Sequence, residues 1–229
     1  MQTDRVCVIF AGSPEQGEPC IPVPEQAYVI CADSGLRLCE KMNRRPDLVL
    51  GDFDSLGSVP AHLPHRVSPP EKDDTDTMLA VRFALDSGFT DIRIYGAFGG
   101  RLDHTLANIQ TLEFLRQNGA SGMLIGDSDW LCIQYGGETG RYPRRAGESL
   151  SVLALTDTCC GVCIRGTKYQ LEQAELNRSF PLGVSNEITS DYAEIRCESG
   201  ALLVIGSALH TAEQETEGAE NGIQSTSGH

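Results

Sequence analysis

Three acidic clusters adjoin short apolar runs or helical patterns, and their spacing suits groups that hold a hard cation and phosphate. Leu48-Val49-Leu50 ends in Gly51 and leaves Asp52 and Asp54 two residues apart. If the chain is extended there, both carboxylates lie on one side and can share an oxygen-liking cation. Asp73-Asp74-Thr75-Asp76, preceded by Lys72, stands at the start of a helical pattern. The run Gly96-Ala97-Phe98-Gly99-Gly100-Arg101-Leu102-Asp103-His104 follows a strand pattern and opens another helix. A glycine loop in that position presents backbone N–H groups and a positive dipole end to phosphate. Plainer readings exist for each cluster: turn chemistry for Asp-x-Asp, capping for Asp74 or Thr75, and turn geometry for the glycines. Their coincidence favours a site, because carboxylates gathered around one arginine are costly unless metal and phosphate compensate.

Neither GxxxxGK[ST] nor GxGxxG occurs, which excludes a P-loop and a dinucleotide fingerprint. Without a P-loop lysine, phosphate charge falls to Mg2+ on the carboxylates together with Arg101, Lys72 or Lys168.

The elements that must position these groups are legible as a change of texture along the chain. From Arg5 to about Gly126, the runs RVCVIFAG, AYVICAD, DLVLGD, DIRIYGA and SGMLIGD read as strands buried on both faces of a parallel sheet. Between them, residues 75–87 pair Leu79 with Phe83 and Ala80 with Ala84, while Leu102, Leu106, Ile109, Leu112 and Leu115 form a stripe at helical spacing. This is βαβ architecture, and the carboxyl ends of its strands share one edge, where open α/β folds bind ligands. After Asp129 the runs WLCIQY, ESLSVLAL, GVCIRG, AEIRCE and ALLVIG, separated by turns, predict a small all-β domain. The expected fold is therefore α/β: an N-terminal open, mostly parallel sheet with flanking helices over 1–128, then a sandwich-like all-β domain over 129–210. Residues 211–229 carry four glutamates without Lys or Arg and are expected to be a disordered acidic tail.

The 229 residues include 18 Lys and Arg against 32 Asp and Glu, a net charge of −14 that opposes binding to nucleic acid or anionic membranes. No stretch approaches the roughly 20 apolar residues of a membrane span, and the short apolar run before Gly12 is no secretory leader, so a cytoplasmic location is expected. Nine scattered cysteines then read as reduced, mostly buried thiols. Cys160 and Cys163 have the C-x-x-C spacing of half a zinc site or a redox pair, but no second pair accompanies them. The sole tryptophan, Trp130, is expected to pack at the domain junction. Arg144 and Arg145 are expected to be solvated in a turn.

CADSG (31–35), PDLVLGDFDS (46–55), EKDDTDTMLA (71–80), GAFGGRLDHTLANIQTL (96–112), GTKYQL (166–171) and VSNE (184–187), in this order and spacing, resemble the thiamine diphosphokinase (thiamine pyrophosphokinase) family. The resemblance implies transfer of a diphosphate from ATP to thiamine with release of AMP, an N-terminal domain holding ATP and Mg2+, and a C-terminal domain contributing to the thiamine pocket. It also implies a homodimer with active sites at the interface. Carried over residue by residue, it makes Asp52, Asp54 and Asp73 magnesium ligands and sets Arg101 and Asp103 at phosphate and metal. Asp33, Lys72, Thr75, Asp76, Gly99, Gly100 and His104 fall around the nucleotide, and Tyr169, Ser185 and Asn186 around thiamine. Tyr169 stands where some relatives carry Trp, and Ser34 where Gly is common. Asp103 and Asp76 are both candidate general bases. Two rival readings are a diphosphokinase for another alcohol, such as a pterin, and a non-catalytic nucleotide- or metal-binding module.

Overall fold

The computed structural model describes residues 5–12, 17–53, 62–67 and 74–209. In chain order the first elements are β1 (Cys7–Phe10), β2 (Tyr28–Ala32), α1 (Gly35–Lys41), β3 (Leu48–Gly51), β4 (His65–Val67), α2 (Asp76–Asp86), β5 (Asp91–Tyr95), α3 (Leu102–Gln117) and β6 (Ser121–Ile125). The remainder is strand: β7 (Asp129–Tyr135), β8 (Thr139–Pro143), β9 (Glu148–Ala154), β10 (Thr158–Arg165), β11 (Leu171–Asn177), β12 (Gly183–Asn186), β13 (Tyr192–Arg196) and β14 (Ala201–Ala208). The acidic tail expected over 211–229 lies outside the described residues.

The five apolar runs of the first half become β1, β2, β3, β5 and β6, all parallel. Their residues alternate between two apolar layers. Cys7 and Ile9 face α2 and α3 through Ala80, Val81, Ala84, Leu112 and Leu115, whereas Val8 and Phe10 face Leu36 and Cys39 of α1. Helix α1 lies so close to β1 that a Cβ on Gly35 would run into the carbonyl oxygen of Phe10. The helical stripe predicted for α3 is only half used: Leu112 and Leu115 are buried, while Leu102 and Leu106 are exposed.

The second half is β-rich, as expected, but it does not stand apart. β7 pairs antiparallel with β6, and the sheet continues in the order β12-β9-β14-β7-β6-β5-β1-β2-β3-β4. A second sheet, β11-β10-β13-β8, covers the far end. Val162, Ile164, Ala193 and Ile195 from it share an apolar layer with Leu150, Val152, Leu202 and Val204 of the long sheet. The expected sandwich is thus formed with one of its faces borrowed from the extended α/β sheet.

Trp130 is buried at this junction, stacked on Tyr142 with centroids 5.7 Å apart, its Nε1 donating to Glu148 Oε1 at 2.9 Å. Arg145 is not simply solvated: its guanidinium lies 5.7 Å from the Trp130 ring centroid and pairs with Glu148 at 3.5 Å. Among the described residues no helix is long and apolar enough to cross a membrane.

Candidate active site

The strand order reverses at β1, which has β2 on one side and β5 on the other. Chains leaving the two strands part there, opening a crevice at their carboxyl ends. A cleft of about 310 Å3 fills it, lined by Ala11 and Gly12 after β1, Thr75 and Thr77 at the start of α2, the loop from Gly96 to Arg101, and His104 and Asn108 of α3. The loop between β5 and α3 needs its glycines, because Gly99 and Gly100 have φ of 80° and 69°, a region that L side chains rarely occupy. From the second turn of α3, Asn108 reaches back past the helix start and donates to the Ala97 carbonyl at 2.8 Å, fixing the middle of that loop.

Both helices aim their N-termini at this cleft. Thr75 is the N-cap of α2, its Oγ1 accepting from the Met78 N–H at 3.2 Å, so its plain reading as a cap is correct and it lines the cleft as well. Asp76 begins the helix, and Asp74 pairs with Arg82 at 2.8 Å. At the start of α3 the Arg101 guanidinium faces Asp103, Nε donating to Oδ1 at 3.1 Å and Nη2 to Oδ2 at 2.5 Å. Hydrogen bonding from Arg101 holds the Asp103 carboxyl below the ordinary carboxylate range. Both side chains are exposed, so salt screens the pair.

At the ends of β2 and β3, Asp33 and Asp52 stand on neighbouring strands. Asp33 is buried, its backbone N–H bonded to Leu50 O at 2.7 Å, and its side chain abuts Gly51, where a Cβ would crowd it. Asp52, the predicted metal ligand, thus follows the strand next to the one that leads into Asp33, predicted at the nucleotide. The extended geometry expected across Asp52-Phe53-Asp54 does not hold, since Phe53 has φ of 62°. The Phe53 ring packs edge-on against His65, with centroids 6.0 Å apart. Asp54, Lys72 and Asp73 lie outside the described residues. Among the described residues no group of three or more His, Cys, Asp or Glu gathers as a metal site. Cys160 is exposed and Cys163 buried, so the C-x-x-C pair points to two environments.

The predicted vitamin residues form a second group. Tyr169 follows β10 and is 64% exposed, with Lys168 Nζ 5.5 Å from its ring centroid. Ser185, at φ 57°, is exposed and donates its N–H to Ser151 Oγ at 3.0 Å. Asn186, the last residue of β12, is buried and turned onto the Tyr169 backbone. β12 lies five strands from β5 in the long sheet, a separation of roughly 24 Å at about 4.8 Å per strand. One chain therefore keeps its two groups of predicted residues apart. Gly12, Thr77 and Asn108 were not foreseen as cleft residues; the one local signal was Asn108, a poor helix former within a helical stretch.

Residues 23–124 match the family model described as the thiamin pyrophosphokinase catalytic domain, and residues 141–202 match that of the thiamin pyrophosphokinase vitamin B1 binding domain. The chain belongs to the thiamine pyrophosphokinase family. A curated thiamine pyrophosphokinase of Bacillus subtilis is 27% identical over 207 residues, covering 87% of this chain and 97% of the relative. The solved structure of thiamine pyrophosphokinase from Bacillus subtilis superposes with a TM-score of 0.78 at 26% identity, over 89% of this chain and 99% of that one. A thiamin pyrophosphokinase family protein from Enterococcus faecalis gives a TM-score of 0.78 at 28% identity, over 90% and 100% of the two chains. Thr75, Thr77 and the loop from Gly96 to Arg101 fall within the stretch matched to the thiamin pyrophosphokinase catalytic domain, whereas Tyr169, Ser185 and Asn186 fall within the vitamin B1 binding domain.

Proposed function

We propose that this enzyme transfers the terminal diphosphate of ATP to the hydroxyethyl oxygen of thiamine, giving thiamine diphosphate and AMP. The observation that carries the reading is the cleft at the strand-order reversal, where a glycine loop and two helix N-termini converge without a P-loop lysine. ATP lies with its phosphates against Gly99, Gly100 and the start of α3, with Asp33, Thr75, Asp76, Lys72 and His104 around it and Arg101 and Asp103 at the phosphates. Asp52, Asp54, Asp73 and Asp103 would hold Mg2+, which would neutralise the triphosphate. The hydroxyethyl oxygen forms a bond to the β-phosphorus, the bond from that phosphorus to the α,β-bridging oxygen breaks, and the electron pair leaves with AMP. The hydroxyl proton passes to Asp76 or water, since both oxygens of Asp103 are engaged by Arg101. The chain's share of catalysis is positioning and charge compensation.

Tyr169 and Ser185 receive thiamine. Because these residues are some five strands from the nucleotide cleft of their own chain, the complete site forms between two copies in a homodimer. Exposed Phe180, Leu182 and Val184, close to this corner in sequence, supply apolar surface for such a contact. The nine free thiols suit a reducing cytoplasm.

The test is a product analysis with ATP labelled at the γ-position, Mg2+ and thiamine. The expected result is AMP in equal amount with thiamine diphosphate, the label in the terminal phosphate of the product. ADP with thiamine monophosphate would overturn the transfer mechanism, and AMP formed with a pterin alcohol but not with thiamine would replace the substrate.

A further inference from the structure

Six polar side chains are buried among the described residues, and two of them, Thr167 and Asn186, converge on the carbonyl oxygen of one exposed residue, Tyr169. Thr167 Oγ1 donates to it at 3.0 Å and Asn186 Nδ2 at 2.6 Å. Asn186 Oδ1 in turn accepts from the N–H of Tyr169 and from that of Glu187, each at 2.9 Å. Both acceptor positions of the amide and one of its two N–H groups are thus engaged with backbone, in a residue only 7% exposed. The clamp is extended by Lys168 N donating to Glu187 O at 2.8 Å and by the bridge between Thr167 and Ile188. Its effect is to fasten the segment after β10, in the four-stranded sheet, to the end of β12, at the edge of the long sheet. The backbone of Tyr169 is held on both its N–H and its C=O while its ring is left facing outward. A side chain presented this way meets a ligand with little ordering left to do.

We infer that Asn186 is a positioning residue that acts on thiamine through Tyr169 and does not touch the vitamin itself. The inference rests on the proposed reading of Tyr169 as a thiamine-facing residue. It differs from the expectation drawn from the sequence, in which Asn186 contacts thiamine directly.

A double-mutant cycle on the full chain separates the two roles. Asn186→Ala is expected to raise the KM for thiamine roughly five- to tenfold, with the KM for ATP unmoved. In a Tyr169→Ala background the same change should add less than about twofold, since residues that act as a unit are not additive. Thr167→Val, which removes only the second donor to the Tyr169 carbonyl and keeps the side chain's shape, guards against a variant that fails to fold and should show a smaller rise. Amide hydrogen exchange supplies a readout independent of substrate: the Tyr169 N–H should exchange much faster in Asn186→Ala than in the wild type. Effects on the thiamine KM that multiply in the double variant would mean direct contact and overturn the inference. So would an unchanged thiamine KM, or an unchanged Tyr169 exchange rate, in a folded Asn186→Ala protein. A wild type that forms no thiamine diphosphate would remove the proposed function and this role together, and that arm is read before any variant.

Discussion

The hydrogen bond from Asn108 to the Ala97 carbonyl is the place where a single change should separate nucleotide affinity from fold. Three glycines at positive φ, Gly96, Gly99 and Gly100, leave the loop after β5 with little stiffness of its own. It is tied at its start by Gly96 N to Ile125 O at 3.0 Å and in its middle by Asn108 at 2.8 Å. Asn108→Ala removes the second tie and leaves the carbonyl of a residue 3% exposed without that donor. Such a loss costs about 1–3 kcal/mol, and water from the adjoining cleft should keep it near the lower end, about 1–2 kcal/mol. If the tie holds the loop in its binding shape, the competent fraction falls accordingly and ATP should bind roughly 5- to 30-fold more weakly. For a chain of this size the melting temperature should drop by about 2–8 °C. Asn118→Ala is the matched control, because Asn118 makes the same kind of bond, Nδ2 to Phe114 O at 2.8 Å, at the opposite end of α3. Calorimetric titration with a non-hydrolysable ATP analogue in Mg2+, beside thermal melts, reads both quantities. The reasoning is refuted if Asn108→Ala keeps an affinity within twofold of wild type, or if Asn118→Ala weakens the nucleotide equally.

Four further outcomes are expected. Asp52→Asn should abolish turnover with the fold intact by circular dichroism; near wild-type activity in ordinary magnesium would take Asp52 out of the metal site. Gly35→Ala should lower the urea midpoint by an amount equivalent to about 3 kcal/mol, because its Cβ meets the main-chain carbonyl of Phe10, which no rotamer change can move; an unchanged midpoint would show that α1 can shift off β1. Burial pushes the thiols of Cys7, Cys132 and Cys197 up from 9.0, to about 12, 11 and 11 respectively. Folded values above the unfolded one mean that this stability is complete below pH 9 and is lost as pH rises toward 11 and 12, so the melting temperature should fall across that window. Exposed Cys160 should be alkylated before any of them in the native protein, and prior labelling of Cys7 would contradict its burial.

The strands foreseen and those missed divide along a physical line. β1, β2, β5, β6 and the others recognised lie inside a sheet and carry unbroken or alternating apolar residues. The four unannounced strands, β4, β8, β11 and β12, are the four edges of the two sheets. His65-Arg66-Val67 is exposed throughout, and Leu171–Asn177 is mostly polar, as edge strands are when they must not recruit another chain. Local pattern registers burial, and an edge has little of it to register. The site follows the same rule. Gly99, Gly100, Thr75 and Arg101 were legible because loop and cap chemistry is written in neighbouring residues, whereas His104 came from the family resemblance. The left-handed turn at Phe53 was not, since an aromatic residue carries no local signal for a positive φ. Neither was the inward turn of Asn186, set by Tyr169 seventeen positions away.

The position of β14 bears on how the molecule is made. Residues 201–208 insert between β7 and β9, pairing with both along nearly their whole lengths. Until that strand emerges from the ribosome, β7 and β9 each present an open row of N–H and C=O groups, and the apolar layer shared by the two sheets lacks Leu202 and Val204. The half with the parallel strands can gather them early in synthesis, but the β-rich half closes only when residues 201–208 have left the ribosome. Nascent chains arrested before residue 201 should therefore depend on chaperones, and a premature stop there yields an aggregation-prone fragment instead of a smaller working enzyme.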